Sequence, residues 1–234
     1  MLFEFAARPL EATFLRRANR FVVEAELAGE LVTAHLPNSG RLSAVLVAGR
    51  SCWLRPARTP GRRTAFDLLA IDTDRGTVLV DSQLPNRLVS AALDARLLPG
   101  ADVYQRVKAE YRHGDSRLDF ALFGESQPTC LIEVKSATDD HERVARFPDA
   151  PSPRAVKHLR ELISAASSGY LTAVIFLAQM SWAEAVLLNE SIDPLFVQTA
   201  GEARAAGVRL LGFTLEPQLP EGVDWGQSIP VLVP

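Results

Sequence analysis

The residues best suited to chemistry lie between positions 117 and 135, RLDFALFGESQPTCLIEVK. Side chains alternate faces along a strand. In the first half Leu118, Phe120 and Leu122 therefore share one face and Asp119 takes the other. GESQP supplies Gly and Pro for a turn. In the second half Glu133 and Lys135 share a face, opposite Ile132 and Val134. A hairpin would bring Asp119 alongside Glu133, with Lys135 one pleat away. Two carboxylates on neighbouring strands form a hard oxygen site suited to Mg²⁺ or Mn²⁺. A lysine beside them can hold a water and stabilise negative charge growing on a phosphate. These are the parts needed for metal-dependent phosphodiester hydrolysis.

An acidic-x-Lys tripeptide is common on amphipathic strands and means little alone. Three features raise its weight here. Glu133 sits among apolar neighbours in CLIEV, where a charge needs a partner. Asp119 stands at hairpin distance upstream. Lysine is also scarce: Lys108, Lys135 and Lys157 are the only three among 25 basic residues. Arg stays protonated and would serve proton transfer poorly.

The elements that must position these residues follow from pattern. Residues 10–81 read as short strands (EATFLRRAN, RFVVEAEL, LVTAHL, SCWLRPA, RTAFDLLAID, GTVLVD) parted by A-G-E, P-N-S-G, V-A-G-R and T-D-R-G. Such spacing suits a small barrel of the OB type, which binds nucleic acid with basic and aromatic side chains. In RLVSAALDARLL the apolar residues fall at helical spacing and Pro99-Gly100 ends the run. The domains are accordingly set at 1–85, an OB-like nucleic-acid-binding barrel, and 86–234. Glu110 is the nearest upstream acid that could join Asp119 and Glu133. Residues 136–152 read as a polar loop on the catalytic side. Ser152-Pro153 then opens a helix that runs to Gly169, with Val156, Leu159, Ile163 and Ala166 as its buried stripe. Arg154, Lys157, His158 and Glu161 cluster on another side, either pointing cations at a phosphate or lying in solvent. LTAVIFLA, a helix from Asp193-Pro194 to Gly207, and VRLLGFTLE give a parallel pair with a crossover. The fold class expected is α/β, in the sense of a two-domain α+β chain: an OB-like β-barrel, then a mixed-sheet α/β domain.

Composition narrows the partners. The net charge of −3 conceals an asymmetry: residues 1–65 hold ten Arg, no Lys and five acids, a balance of +5, so the remainder carries −8. A basic front half suggests an anionic partner, with nucleic acid (DNA or RNA) first, against a scatter of solvated arginines. Arg16, Arg17, Arg20 and Arg41 are the barrel cations of interest. Asn38 and Ser39, in the tight turn Pro37–Gly40, can bond either to the backbone or to a phosphate. Two cysteines imply no disulfide framework, and the longest apolar run is too short to span a bilayer. A cytoplasmic protein without a membrane partner is expected, and a homodimer is compatible with the chemistry.

Several blocks, in order, resemble the sugar fermentation stimulation protein A family across nearly the whole chain. They are Pro37-Asn38-Ser39-Gly40, Asn86-Arg87, Ser116-Arg117-Leu118-Asp119-Phe120, Ile132-Glu133-Val134-Lys135-Ser136, Phe147-Pro148-Asp149-Ala150 and Lys157-His158-Leu159-Arg160-Glu161-Leu162. The resemblance implies an N-terminal OB-like domain and a C-terminal domain similar to PD-(D/E)xK nucleases. It places Asp119, Glu133 and Lys135 on the nuclease motif and Glu110 on its more variable upstream acid. Arg117, Arg154, Lys157 and His158 become candidate nucleic-acid contacts. Family members are described as DNA-binding proteins linked to regulation of sugar metabolism, without an established enzymatic role. Two readings follow: a Mg²⁺- or Mn²⁺-dependent nuclease, or a non-catalytic DNA-binding regulator that retains the fold. Ser39 departs from a frequent Thr in relatives and keeps the hydroxyl. Val156 departs from a frequent Gln and cannot hydrogen-bond.

Overall fold

The computed structural model describes residues 1–57 and 61–234, apart from the side chain of Asp140. Strand β1 (Phe3–Glu4) is followed by β2 (Leu10–Asn19), β3 (Val22–Leu27), β4 (Glu30–His35), β5 (Ser51–Pro56), β6 (Phe66–Thr73) and β7 (Gly76–Leu79). From β2 to β7 they pair in the order β4-β3-β2-β5-β6-β7, and a parallel β4–β6 pairing closes five of them into a barrel. Alternation drives this: Phe14, Val23, Ala25, Ala34, Leu54 and Leu68 all point inward and are buried. The β3–β4 hairpin turns on Ala28-Gly29, both at positive φ (52° and 84°), and Gly29 meets that demand without strain. Register shifts in β2 at Phe14/Arg16 and Arg17/Asn19 supply the bend that closure needs.

Helix α1 (Leu84–Asp94) begins three residues before the apolar spacing suggests, with a proline in its first turn. Next come β8 (Arg106–His113), β9 (Ser116–Phe123), β10 (Cys130–Ala137), β11 (Asp139–His141), β12 (Val144–Phe147), α2 (Pro153–Ser167), β13 (Leu171–Ala178), β14 (Ala185–Leu188), α3 (Pro194–Ala205), β15 (Arg209–Gln218), β16 (Gly222–Ile229) and β17 (Val231–Leu232). A seven-stranded mixed sheet runs β1-β16-β15-β13-β10-β9-β8. Its centre, β10-β13-β15, is parallel, as the strand–helix–strand rhythm requires. Both long helices start on side-chain caps: Ser152 Oγ accepts from Ala155 N at 3.2 Å and Asp193 Oδ1 from Phe196 N at 3.0 Å.

The sequence expectation needs correction at residues 136–152, which are not a loop. Strands β11 and β12 occupy much of that stretch and join β14 and β17 in a second sheet of four strands. The buried stripe of α2 is also rotated from the expected one: Ala155, Val156, His158, Leu159, Leu162 and Ala165 face inward. Among the described residues, no helix is long and apolar enough to cross a membrane.

Helix α1 is the joint of the fold. Its Leu84, Leu88, Val89 and Ala92 pack in one cluster with Leu69, Ala70 and Leu79 of the barrel and with Phe120, Ile132, Val134, Ile175 and Phe213 of the large sheet. Beyond this cluster, Leu79 N donates to Gln179 O at 2.9 Å, tying β7 to the chain just after β13.

Candidate active site

The β9–β10 ladder pairs Cys130 with Leu122, Leu131 with Ala121 and Ile132 with Phe120, and then stops. One step further Asp119 and Glu133 face each other where the strands part. The backbone bond lost there is replaced by a side chain: Asp119 Oδ2 accepts from Val134 N at 2.7 Å. Its other oxygen, Oδ1, accepts from Asn86 Nδ2 at 2.7 Å. Asn86 lies in the first turn of α1, so the helix that joins the two halves also orients this carboxylate.

Glu133 is 3 % exposed. Lys135 Nζ donates to its Oε1 at 2.5 Å, and His158 Nδ1 bonds the same oxygen from α2. A carboxylate only accepts, so His158 holds a proton on Nδ1. The second oxygen, Oε2, is buried and has no hydrogen-bond partner among the described residues. The two acids are driven apart electrostatically. Burial and then the neighbouring charge of Glu133 push the Asp119 carboxyl above its ordinary value, against the bonds from Val134 and Asn86. Burial acts the same way on Glu133, but His158 and Lys135 together outweigh it and hold Glu133 below the usual carboxylate range.

The structure thus assembles Asp119, Glu133, Lys135, His158 and Asn86. His158 was expected as a substrate contact; it is 5 % exposed and spent on Glu133. Lys157, its neighbour on α2, points elsewhere and donates to Asp115 O at the β8–β9 turn, 3.1 Å away. Arg154 is exposed near the start of the same helix. Glu110 does not join the pair. The β8–β9 ladder pairs Ala109 with Phe120 and Tyr111 with Leu118 and skips the step between them, where the backbone of Glu110 is left-handed (φ 53°). Its carboxylate, 55 % exposed, bonds Arg117 Nε at 2.7 Å. Among the described residues, no three His, Cys, Asp or Glu side chains lie close enough to hold a metal between them. A cation here would complete its shell with water, backbone or substrate oxygens.

The barrel cations divide into two sets. Arg17 is internal: its guanidinium donates to the carbonyls of Gly40 and Arg41 at 2.8 Å and of Arg20 at 2.7 Å, pinning the 37–41 turn. Asn38 is likewise structural, donating to Val80 O at 3.0 Å and accepting from Gly40 N at 2.8 Å. Neither is free to grip a phosphate. Arg16 pairs with Glu24 at 2.6 Å while remaining exposed, Arg20 lies over the Phe21 ring, and Ser39 and Arg41 are exposed. Gly40 is required by close approach, since a Cβ there would sit 2.0 Å from Asp149 Oδ2.

Comparison with known proteins matches residues 83–220 to the sugar fermentation stimulation protein RE domain and residues 15–80 to the SfsA N-terminal OB domain. A sugar fermentation stimulation protein homolog of Chloroflexus aggregans is 43% identical over 224 residues, covering 96% of this chain and 85% of the relative. One from Carboxydothermus hydrogenoformans is 41% identical over 231 residues, covering 98% and 100%. The solved structure of Pyrococcus furiosus SfsA in complex with Ca²⁺ superposes with a TM-score of 0.90 at 27% identity, over 99% of both chains.

Proposed function

This chain belongs to the sugar fermentation stimulation protein family, and from that premise we propose that it binds DNA and hydrolyses phosphodiester bonds with a divalent cation at Asp119 and Glu133. One observation carries the reading. Glu133 Oε2 is buried without a donor among the described residues, beside a second carboxylate whose ionisation Glu133 opposes. An uncompensated buried oxygen of this kind is costly, and a hard cation held between the two acids removes both the orphan and the repulsion. The Ca²⁺ complex of the Pyrococcus furiosus relative supports a divalent cation, since Ca²⁺ and Mg²⁺ share oxygen donors.

When bound, Mg²⁺ or Mn²⁺ would polarise a phosphoryl oxygen and make a bound water a better nucleophile. The protein supplies the rest. Asn86 and the Val134 amide fix both oxygens of Asp119. His158 and Lys135 hold Glu133 ionised and oriented. Lys135 uses one proton on Glu133 and has others to direct at a water or at a phosphate oxygen as charge develops there. Exposed barrel arginines, Arg16, Arg20 and Arg41, supply phosphate contacts, so binding should weaken steeply with salt.

The test is a melting titration with Mn²⁺ on the full chain, run beside a cleavage screen of single-stranded and structured DNA. Stabilisation by Mn²⁺ with cleavage is the expected result. A protein indifferent to millimolar Mn²⁺ refutes the metal site, and the nuclease reading falls with it. Metal binding without cleavage of any substrate leaves the DNA-binding regulator as the function.

A further inference from the structure

A second candidate site lies at the seam where the barrel, α1 and the edge strand β1 of the large sheet meet. A cavity of about 140 Å³ is lined chiefly by Phe3, Phe5, Arg55, Arg62, Asp67 and Arg87. Three arginines line it, and two of them, Arg55 and Arg62, are paired with Asp67 and Asp81. Arg62 Nη2 donates to Asp67 Oδ1 at 2.7 Å, and Arg55 Nη2 donates to Asp81 Oδ2 at 2.8 Å. Arg55 retains a buried nitrogen, Nη1, with no acceptor among the described residues. A buried donor on a cation is expensive to leave unpaired, and an anionic oxygen is the ligand that would satisfy it.

The apolar wall adds a second requirement. Phe3 and Phe5 meet edge to face with ring centroids 5.8 Å apart, and the Arg87 guanidinium carbon lies 4.6 Å from the Phe3 ring centre. Aromatic rings backed by guanidinium planes are platforms for nucleobases. Arg87 also follows Asn86 on α1, and Asn86 bonds the catalytic candidate Asp119. Resting on the nucleic-acid reading above, we propose that this cavity is a nucleotide subsite. The arginines take a phosphate of the bound strand, and Phe3 with Arg87 takes its base.

The subsite is tested on the full chain in EDTA, where no divalent cation contributes. Thymidine 5′-monophosphate, thymidine and inorganic phosphate are titrated calorimetrically against wild type, Arg62→Gln and Phe3→Leu, with melting curves to verify folding. The monophosphate is expected to bind best, phosphate more weakly and thymidine not at all. Arg62→Gln should weaken both phosphate-bearing probes about tenfold, the worth of one charge-assisted contact. Phe3→Leu should weaken the monophosphate alone. No binding of the monophosphate to wild type, or equal binding by wild type and a folded Arg62→Gln, overturns the proposal. Equal affinity for monophosphate and phosphate overturns the base platform. A failure here leaves the Mn²⁺ response of Asp119 and Glu133 standing, and a failure there leaves this result standing, so the two are separable.

Discussion

Asp119→Asn is the most informative single change, because the two oxygens of Asp119 have different fates in it. Each accepts one hydrogen bond at 2.7 Å, from Asn86 Nδ2 and from Val134 N. Asparagine offers one acceptor and one amide, so one of these donors must face an NH₂ group. A partly buried donor that loses its acceptor costs about 1–3 kcal/mol. Loss of the negative charge beside Glu133 returns part of this, since that charge disfavours ionisation of Asp119. A net loss of about 1–2 kcal/mol without metal is expected, or about 3–6 °C in melting temperature for a chain of this size. Metal then separates the proteins further. At a hundredfold excess over its dissociation constant a ligand stabilises the native state by about 2.7 kcal/mol, which wild type gains and the variant does not. Differential scanning calorimetry in EDTA and in Mn²⁺ reads both effects. A variant at least as stable as wild type in EDTA would refute the hydrogen-bond reasoning. A variant with an undiminished Mn²⁺ response would remove Asp119 as a ligand.

Other substitutions probe neighbouring claims. Lys135→Ala should keep the Mn²⁺-induced rise in melting temperature and lower cleavage about 10²–10³-fold, the usual effect of deleting one group that stabilises developing charge; loss of the metal response instead would make Lys135 a structural partner of Glu133. Gly40→Ala drives a methyl into Asp149, 2.0 Å away, and should cost about 1–3 kcal/mol by thermal melting, with partial recovery when Asp149→Ala is added. Asp67 is held below its ordinary value of 3.8: burial would raise it, but Arg62 and Arg55 outweigh that. Its contribution to stability is therefore full above that pH and is lost as pH falls through the lower folded value. Asp67→Asn should flatten the acid limb of a melting-temperature profile below pH 3.8, and an unchanged limb would contradict the assignment.

What could be read from the sequence depended on whether a signal was local. The barrel strands and the Asp119, Glu133 and Lys135 set were legible because strand alternation is a two-residue rule. Helix α2 and its Ser152 cap were legible from spacing and end chemistry. His158 was legible as a candidate but not in its role: it sits on the buried side of α2, and a polar residue on a buried face looks like solvent-facing charge until its partner is known. Asn86 reaches Asp119 across 33 residues, a separation no window detects. Arg17 could not be told from a phosphate-binding arginine, because its partners are backbone carbonyls, which leave no trace in composition. Strands β11 and β12 hide in DDHERVARF, whose charges suggest a loop. They are strands because a second sheet, completed by β14 and β17, is there to pair with them.

The shared packing around α1 bears on how such a chain can be inherited and altered. Two family models divide it near residue 82, yet Leu69, Ala70 and Leu79 belong to the same cluster as Phe120, Ile132 and Phe213. A cut at the boundary would expose that cluster on both fragments, so the barrel is not a cassette that can be lent to another protein or dispensed with by this one. The same continuity removes the hinge on which a clamp would swing. On the proposed reading, DNA meets surfaces that this packing has already set, and recognition falls to their shape rather than to closure around the ligand.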